Sequence, residues 1–239
     1  MLILKKLITL VREHGIRRAL KGVIHILAVE MYVLFERRFD RRFHVETSGI
    51  IRMEEYDIEA KKKETAIRYQ PTPIKPLRSI LKSLNIDHFQ YTFIDVGSGK
   101  GRVLLLASEF PYNKIIGVEI SQQVHRIAEK NFETWNNPKQ KCWDLQSICI
   151  DACEYRFPEE PLVLFFFTPF TSPILARVIE NLNNSIMEKP RSVYIIYFGS
   201  SQELTDLFRT LNFSLKQIHK RIPFLNYSGV LFSTPPQAT

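Results

Sequence analysis

The sequence predicts an α/β protein built on a Rossmann-like sheet of seven strands, mostly parallel, with helices on both faces and a helical extension at the N-terminus. From residue 91 onward, short apolar runs alternate with segments of helical pattern, which is typical of parallel strands covered on both faces. The last two apolar runs are separated only by residues 220–227, too few for a crossover helix. They should therefore form an antiparallel hairpin at the sheet edge.

The residues before the sheet fall into three segments. Apolar residues recur at helical spacing near the N-terminus, so we expect residues 1–43 to be helical. Residues 45–65 are charged and mixed, and we interpret them as a linker or a lid. Three prolines within Tyr69–Pro76 exclude a helix there and predict an extended turn, after which a short helix should occupy about 77–85.

The remaining elements follow in alternation. The predicted strands are Thr92–Val96, Ile115–Glu119, Ser147–Ile150, Leu162–Phe167, Ser192–Phe198, Ser214–His219 and Ser228–Ser233. The predicted helices between them lie near 101–109, 121–134, 172–187 and 201–211. We divide the chain into a basic helical extension with its linker, residues 1–65, and an α/β domain, residues 66–239.

The positive charge is concentrated at one end of the chain. Of a net charge of +8, residues 1–44 carry ten Lys and Arg against four Asp and Glu. Such a segment can pack on the domain as a lid, can make peripheral contact with an anionic membrane through residues 1–43, or can contact nucleic-acid phosphates. We favour the lid, keep the membrane contact open and disfavour nucleic acid, because only Phe39 and Phe43 are available for base stacking and their spacing suits a core-facing stripe.

The composition also excludes several classes of protein. Three clustered cysteines (Cys142, Cys149 and Cys153) are too few for a disulfide scaffold, and the scattered histidines predict no zinc site. No apolar run reaches the roughly 18–20 residues of a membrane span, and we find no signal-peptide cleavage pattern. We expect a cytoplasmic protein, with the inner membrane surface as a peripheral location.

A glycine-rich loop follows the first strand, within the segment Phe93–Arg102. A phosphate-binding P-loop would need Ser or Thr after Gly99-Lys100, where this chain has Gly101. A dinucleotide site would need a third glycine at Arg102. Both alternatives therefore fit poorly, and the pattern that remains is Asp-x-Gly-x-Gly-x-Gly.

An acidic residue ends the second strand. Glu119 lies 18 residues after Gly101, where a carboxylate can accept hydrogen bonds from both hydroxyls of a ribose. Asp151 and Ala152 directly follow the third strand. The carboxyl ends of these strands share one edge of a parallel sheet, so the three features should meet at one crevice.

These features together resemble class I, seven-strand methyltransferases that use S-adenosylmethionine. Over about residues 69–200 the chain looks similar to the branch that contains the non-SET histone-lysine methyltransferases and their bacterial relatives. The segments that carry the resemblance are Tyr69–Pro73, Asp95–Val103, Gly117–Glu119, Ala128–Asn131, Asp151-Ala152 and Phe166–Phe170. The resemblance implies that Asp95 orients the loop near the amino-acid part of the cofactor and that Asp151 meets the adenine amino group.

The resemblance also implies a position for the methyl acceptor. In amine methyltransferases the fourth strand commonly ends in Asn or Asp followed by Pro-Pro-Tyr/Phe, and here it ends in Thr168-Pro169-Phe170. We take these three residues and Tyr69, which could donate a hydrogen bond near the methyl group, as the catalytic candidates. The implied acceptor is an amine such as protein lysine, although Thr168 departs from the pattern.

The candidate cofactor-binding residues are Tyr69, Thr72, Asp95, Gly97, Ser98, Gly99, Gly101, Arg102, Glu119, Ile120, Asp151, Ala152 and Thr168. Two other functions stay open at this point. One is a non-catalytic protein of the same fold that docks on a membrane or a partner through its basic helices. The other is a nicotinamide-dependent oxidoreductase, which Arg102 disfavours.

Overall fold

Seven strands form a single sheet in the computed structural model, which describes residues 31, 34–59, 69–167, 171–199, 213–219 and 228–234. The strands are β1 (Thr92–Val96), β2 (Lys114–Glu119), β3 (Leu145–Cys149), β4 (Leu162–Phe167), β5 (Val193–Gly199), β6 (Ser214–His219) and β7 (Ser228–Ser233). Their order is β3-β2-β1-β4-β5-β7-β6. Strands β1 to β5 pair in parallel, whereas β7 is antiparallel to both β5 and β6. The predicted fold class is confirmed.

Helices precede the sheet and alternate with its strands. They are α1 (34–43), α2 (Ile74–Ser83), α3 (Arg102–Ala107), α4 (Gln122–Thr134) and α5 (Ser172–Glu188). The helix expected near 201–211 lies outside the described residues. In the part of the chain that is described, no helix combines the length and the apolar character needed to cross a bilayer.

Helix α2 begins earlier than the prolines predicted. Its first residue is Ile74, Pro73 is the residue that caps it in an extended conformation, and Pro76 lies in its first turn. Backbone N–H groups in the first turn have no partner within the helix, so proline costs no hydrogen bond there. The prediction of an extended turn up to Pro76 is therefore wrong for its last three residues.

The apolar core lies on both faces of the sheet. Along β4, Val163 and Phe165 face one side together with residues of α1, α2 and α3, whereas Leu164 and Phe166 face the other side with α5. All four of these side chains are fully buried. Since burying one large apolar side chain contributes about 1.5–3 kcal/mol, this double-sided burial fixes β4 and its neighbours at the centre of the domain.

Helix α1 packs on the domain through its aromatic residues. The rings of Phe39 and Phe43 lie 5.8 and 4.7 Å from that of Trp135, which directly follows α4. The helix ends at Phe43, where His44 adopts a left-handed conformation (φ 54°) and the N–H of Val45 donates to the carbonyl of Asp40 at 3.1 Å. This termination turns the chain back toward the glycine-rich loop. The predicted core-facing stripe of Phe39 and Phe43 is confirmed.

Candidate functional site

The glycine-rich loop connects β1 to α3 at the carboxyl end of the sheet. Gly97, Gly99 and Gly101 all have positive φ angles, of 83°, 54° and 80°. The N–H groups of Gly97 and Ser98 donate to the carbonyl of Val118 at 2.8 and 3.0 Å, which fixes the loop against β2. Left-handed backbone is costly for residues with a Cβ, so the three glycines make this loop conformation accessible.

Two of the glycines are also required by close packing. A Cβ added at Gly99 would overlap the ring of Tyr69, which lies directly against the loop. A Cβ added at Gly101 would lie 3.1 Å from side-chain atoms of Ala128 and Phe132 on α4. The loop therefore has packed groups on both sides.

Glu119 points toward the glycine-rich loop from the end of β2. Its carboxylate accepts hydrogen bonds from the N–H of Gly99 and the N–H of Ser121, each at 2.9 Å. Burial raises the pKa of Glu119, and backbone N–H groups, including those of Ser121 and Gly99, partly oppose that shift. The carboxylate thus lies where the sequence predicted a ribose-binding group.

Asp95 is a second buried carboxyl group at the same edge of the sheet. It is only 2% exposed, and burial, followed by the charge of Glu119, raises the pKa of Asp95 well above its usual value. The ends of β1 and β2 therefore place two acidic groups close enough to influence each other.

The predicted adenine-side residues lie one strand further along. The N–H of Ile150, which follows β3, donates to the carbonyl of Glu119 at 3.0 Å, which aligns the two strand ends. Asp151 is half-buried and accepts a hydrogen bond from the N–H of Cys153 at 3.0 Å, while Ala152 is buried. The half-buried Ile120 accepts from the thiol of Cys149 through its carbonyl at 3.7 Å. These residues follow β2 and β3 at the same edge of the sheet, and their contact with adenine stays a prediction.

Two smaller predicted residues are buried. The side chain of Ser98 lies against β2, where a Cβ on Gly117 would come within 2.6 Å of its Oγ. Thr72 is 4% exposed and immediately precedes the capping residue of α2. Both lie in segments that contribute to the site.

Arg102 makes its polar contacts with the N-terminal segment. Its side chain is 1% exposed, and its guanidinium pairs with the carboxylates of Glu36 and Asp40 on α1. Its Nε also donates to Thr47 Oγ1 at 2.7 Å. The charged group of Arg102 is therefore directed to the N-terminal segment, and cofactor binding by this residue stays a prediction.

Tyr69 is oriented differently from the prediction. Its ring lies on the glycine-rich loop, but its hydroxyl donates to the carbonyl of Thr47 at 2.6 Å. Burial is the main cause that raises the pKa of Tyr69 well above its usual value. The structure does not show this hydroxyl donating near the methyl group, because its proton is donated to the carbonyl of Thr47.

Two residues that the sequence analysis missed lie beside Glu119. Burial, followed by the charge of Glu119, raises the pKa of Tyr56. Asp57 accepts hydrogen bonds from the hydroxyl of Ser121 and from the N–H of Gln123 at 2.9 Å. Their only signal in the sequence was a position in the segment interpreted as a linker or a lid. The catalytic candidates Thr168, Pro169 and Phe170 lie outside the described residues.

Comparisons with known proteins support the predicted resemblance. Residues 50–160 match the family described as histone methylation protein DOT1. This stretch contains the glycine-rich loop, Glu119 and Asp151. A search of proteins with curated functions finds no match to this sequence.

Solved structures share the fold. The chain is similar to an S-adenosylmethionine-dependent methyltransferase from Aquifex aeolicus, with 14% identity and a TM-score of 0.50 over 66% of this chain and 89% of that one. It is also similar to a candidate RNA methyltransferase from Pyrococcus horikoshii, with 15% identity and a TM-score of 0.50 over 70% and 86% of the two chains. The class I methyltransferase fold is confirmed, and so is the resemblance to the histone-methylating branch.

Proposed function

We propose that this chain is an S-adenosylmethionine-dependent methyltransferase that transfers a methyl group to an amine or another nucleophile, with protein lysine as the first acceptor to test. The observation that carries the proposal is the Glu119 carboxylate, which accepts from Gly99 N–H at 2.9 Å. This contact puts an acceptor for two ribose hydroxyls beside the glycine-rich loop at the carboxyl end of the sheet.

The electrostatics of the crevice favour the same cofactor. S-adenosylmethionine carries a positive sulfonium and a positive ammonium group. Asp95 and Glu119 are buried at the ends of neighbouring strands, and burial, followed by the charge of Glu119, raises the pKa of Asp95. A cationic ligand relieves that repulsion, whereas the anionic pyrophosphate of a nicotinamide dinucleotide would increase it.

Methyl transfer makes few covalent demands on the protein. The acceptor lone pair attacks the methyl carbon while the carbon–sulfur bond breaks, and the bonding electrons remain on sulfur as a neutral thioether. An amine acceptor then releases its proton to solvent. The residues of the chain need only align the three atoms and exclude water, so we expect no conspicuous catalytic dyad.

Calorimetric titration with S-adenosylmethionine and S-adenosylhomocysteine tests the cofactor assignment. Glu119→Gln should weaken both ligands by about tenfold or more, because an amide cannot accept two hydroxyl hydrogen bonds with a full negative charge. Glu129→Gln is the matched control, since Glu129 is an exposed carboxylate on α4 that pairs with His125. Wild-type protein that binds neither ligand, or binds NADH instead, would contradict the proposal.

The acceptor assignment rests on Thr168, Pro169 and Phe170, which remain a prediction. Release of S-adenosylhomocysteine should be measured with histone and other lysine-containing proteins, with RNA and with small amines and alcohols. Thr168→Asn restores the residue common in amine methyltransferases. It should raise the rate with amines if the acceptor amine lies at this position, and leave it unchanged otherwise.

The outer face of α1 favours a peripheral contact with an anionic membrane. Four exposed arginines lie on this face: Arg37, Arg38, Arg41 and Arg42. Leu34 and Phe35 are also exposed, at 58% and 54%. Apolar side chains such as Leu34 gain from burial at a lipid interface when cations lie beside them, so we propose lipid in preference to nucleic acid.

Vesicle sedimentation tests the membrane contact. Binding to vesicles with anionic lipid should exceed binding to neutral vesicles and should fall when the four arginines are changed to glutamine. Equal sedimentation of the two proteins would refute it. A chain that binds vesicles but not S-adenosylmethionine would instead be the non-catalytic docking protein.

A further inference from the structure

The outer side of the glycine-rich loop is held by residues 36–57, which we name the brace. The brace contains the part of α1 that carries Glu36 and Asp40 and the segment that follows it. Both of these carboxylates pair with the guanidinium of Arg102, the first residue of α3. Glu36 and Asp40 are 4% and 8% exposed, so the pairing is removed from solvent.

Thr47 links the two charged partners through a single hydroxyl. Its Oγ1 accepts from Arg102 Nε at 2.7 Å and donates to Asp40 Oδ1 at 2.6 Å. The other oxygen of Asp40 accepts from the N–H of Thr47 at 2.8 Å and from that of Ser48 at 2.6 Å. Asp40 thereby folds the chain after α1 back onto Arg102.

Asn131 on α4 joins the brace to the loop a second time. Its amide oxygen accepts from the N–H of Glu46 at 2.7 Å, and its amide nitrogen donates to the carbonyls of Glu46 and Lys100 at 3.0 and 2.8 Å. The ammonium of Lys100 contacts the Glu46 carboxylate at 2.8 Å. The buried side chain of Asn131 therefore bonds both to the backbone of the brace and to the backbone of the loop.

The brace then continues past Glu119. The carbonyl of Thr47 holds the hydroxyl of Tyr69, whose ring covers Gly99. Further along, Asp57 accepts from the N–H of Gln123 at 2.9 Å and from the hydroxyl of Ser121. The brace is therefore attached both to the loop on one side of Glu119 and to the start of α4 on the other side.

We propose that the brace sets the cofactor-binding conformation of the glycine-rich loop, with Thr47, Arg102 and Asn131 as its positioning residues. The proposal rests on the proposed function, since it assigns these residues to the affinity for S-adenosylmethionine without direct contact. The N–H of Gly99 donates to Glu119 on one side, and the side chains of Lys100 and Arg102 donate to residues of the brace on the other. A loop held in this way does not have to be ordered by the ligand.

The proposal implies reciprocal coupling between brace and cofactor. If closure of the brace strengthens cofactor binding, then cofactor binding must stabilise the closed brace by the same factor. Backbone amides of the brace should therefore exchange with solvent more slowly in the presence of the cofactor product.

Two substitutions at one buried position test the proposal. Thr47→Val removes the hydroxyl that Arg102 and Asp40 share and changes the shape of the side chain little, whereas Thr47→Ser retains the hydroxyl. We expect Thr47→Val to weaken S-adenosylhomocysteine by about tenfold in calorimetry, and Thr47→Ser to recover most of that loss. Arg78→Lys is the matched control. Arg78 pairs with Glu109 at a distance of 2.5 Å, and neither residue belongs to the glycine-rich loop or to the brace.

A second measurement uses the unchanged protein. Saturating S-adenosylhomocysteine should slow amide exchange over residues 40–57 by about tenfold. Exchange that does not change on binding would overturn the proposal, and this comparison also decides the matter if Thr47→Val does not fold.

The outcomes separate the two proposals. Wild-type protein that does not bind S-adenosylhomocysteine contradicts the proposed function and removes the role of the brace with it. Wild-type binding together with equal binding by folded Thr47→Val overturns the brace alone. Weakened binding by Thr47→Val, recovery in Thr47→Ser and unchanged binding in Arg78→Lys support it.

Discussion

Replacing Arg102 with methionine should strongly destabilise the fold. The side chain is 1% exposed and is the partner of two buried carboxylates, Glu36 and Asp40. Methionine keeps much of the apolar volume but leaves both carboxylates without their guanidinium, and breaking a buried ion pair in this way costs about 3–5 kcal/mol. For a chain of this length, the melting temperature should fall on the order of 10 °C.

Urea unfolding followed by circular dichroism measures this loss. Arg78→Met is the control, because the Arg78 side chain is 28% exposed, so its pair with Glu109 is less buried than the pairs of Arg102 and its loss should cost less. Adding Glu36→Gln to Arg102→Met should recover about 1 kcal/mol or more, since it removes one unpaired charge. The reasoning is refuted if Arg102→Met loses no more stability than Arg78→Met.

Three further predictions concern single positions. Gly99→Ala should weaken the binding of S-adenosylhomocysteine by about tenfold in calorimetry and lower the free energy of unfolding by about 1–2 kcal/mol. The reason is that the φ angle of Gly99 is 54° and that an added Cβ would overlap the ring of Tyr69. Wild-type affinity in this variant would contradict the prediction. Asp95→Asn should stabilise the cofactor-free protein at pH 7. The pKa of Asp95 in the folded state is raised above its ordinary value of 3.8, so the folded protein loses stability as the pH rises above that value. Urea unfolding should therefore show a gain in stability for the variant at pH 7 and none at pH 4. Burial lowers the pKa of His88 from 6.5, so the wild-type protein should lose stability as pH falls below that value, and His88→Phe should show a smaller loss between pH 7 and pH 5; identical pH profiles for the two proteins would exclude His88 as the cause.

The sheet was predictable because its strands are buried on both faces. A run such as Leu162–Phe167 has no polar residue to mark a solvent side, so it indicates a central parallel strand directly. Observed and predicted strand bounds agree to within two residues. The start of α2 was predicted less well, because Pro76 breaks a helix only where a backbone N–H is needed, and the first turn does not need it.

The candidate site was predictable where backbone geometry defines it. The glycines and Glu119 are recognised by their spacing, since positive φ and a strand-end carboxylate depend on local sequence. The contacts of Arg102 and Tyr69 depend on Thr47, which lies 55 residues before Arg102 and 22 before Tyr69. Nothing in the sequence around Arg102 or Tyr69 indicates a partner so far away along the chain. Both residues were therefore assigned to the cofactor, since they lie in or beside the glycine-rich motif.

The two sides of the glycine-rich loop make different contacts. The N–H of Gly99 is directed to Glu119, while the side chains of Lys100 and Arg102 extend to the brace. Rigidity on the outer side reduces the entropy that a ligand would otherwise lose in ordering the loop. If the brace sets the loop conformation as proposed, a change of Arg102 or its partners should lower cofactor affinity while every glycine of the motif stays in place. The N-terminal segment then has to be considered together with the loop when a chain of this kind is assessed for an active site.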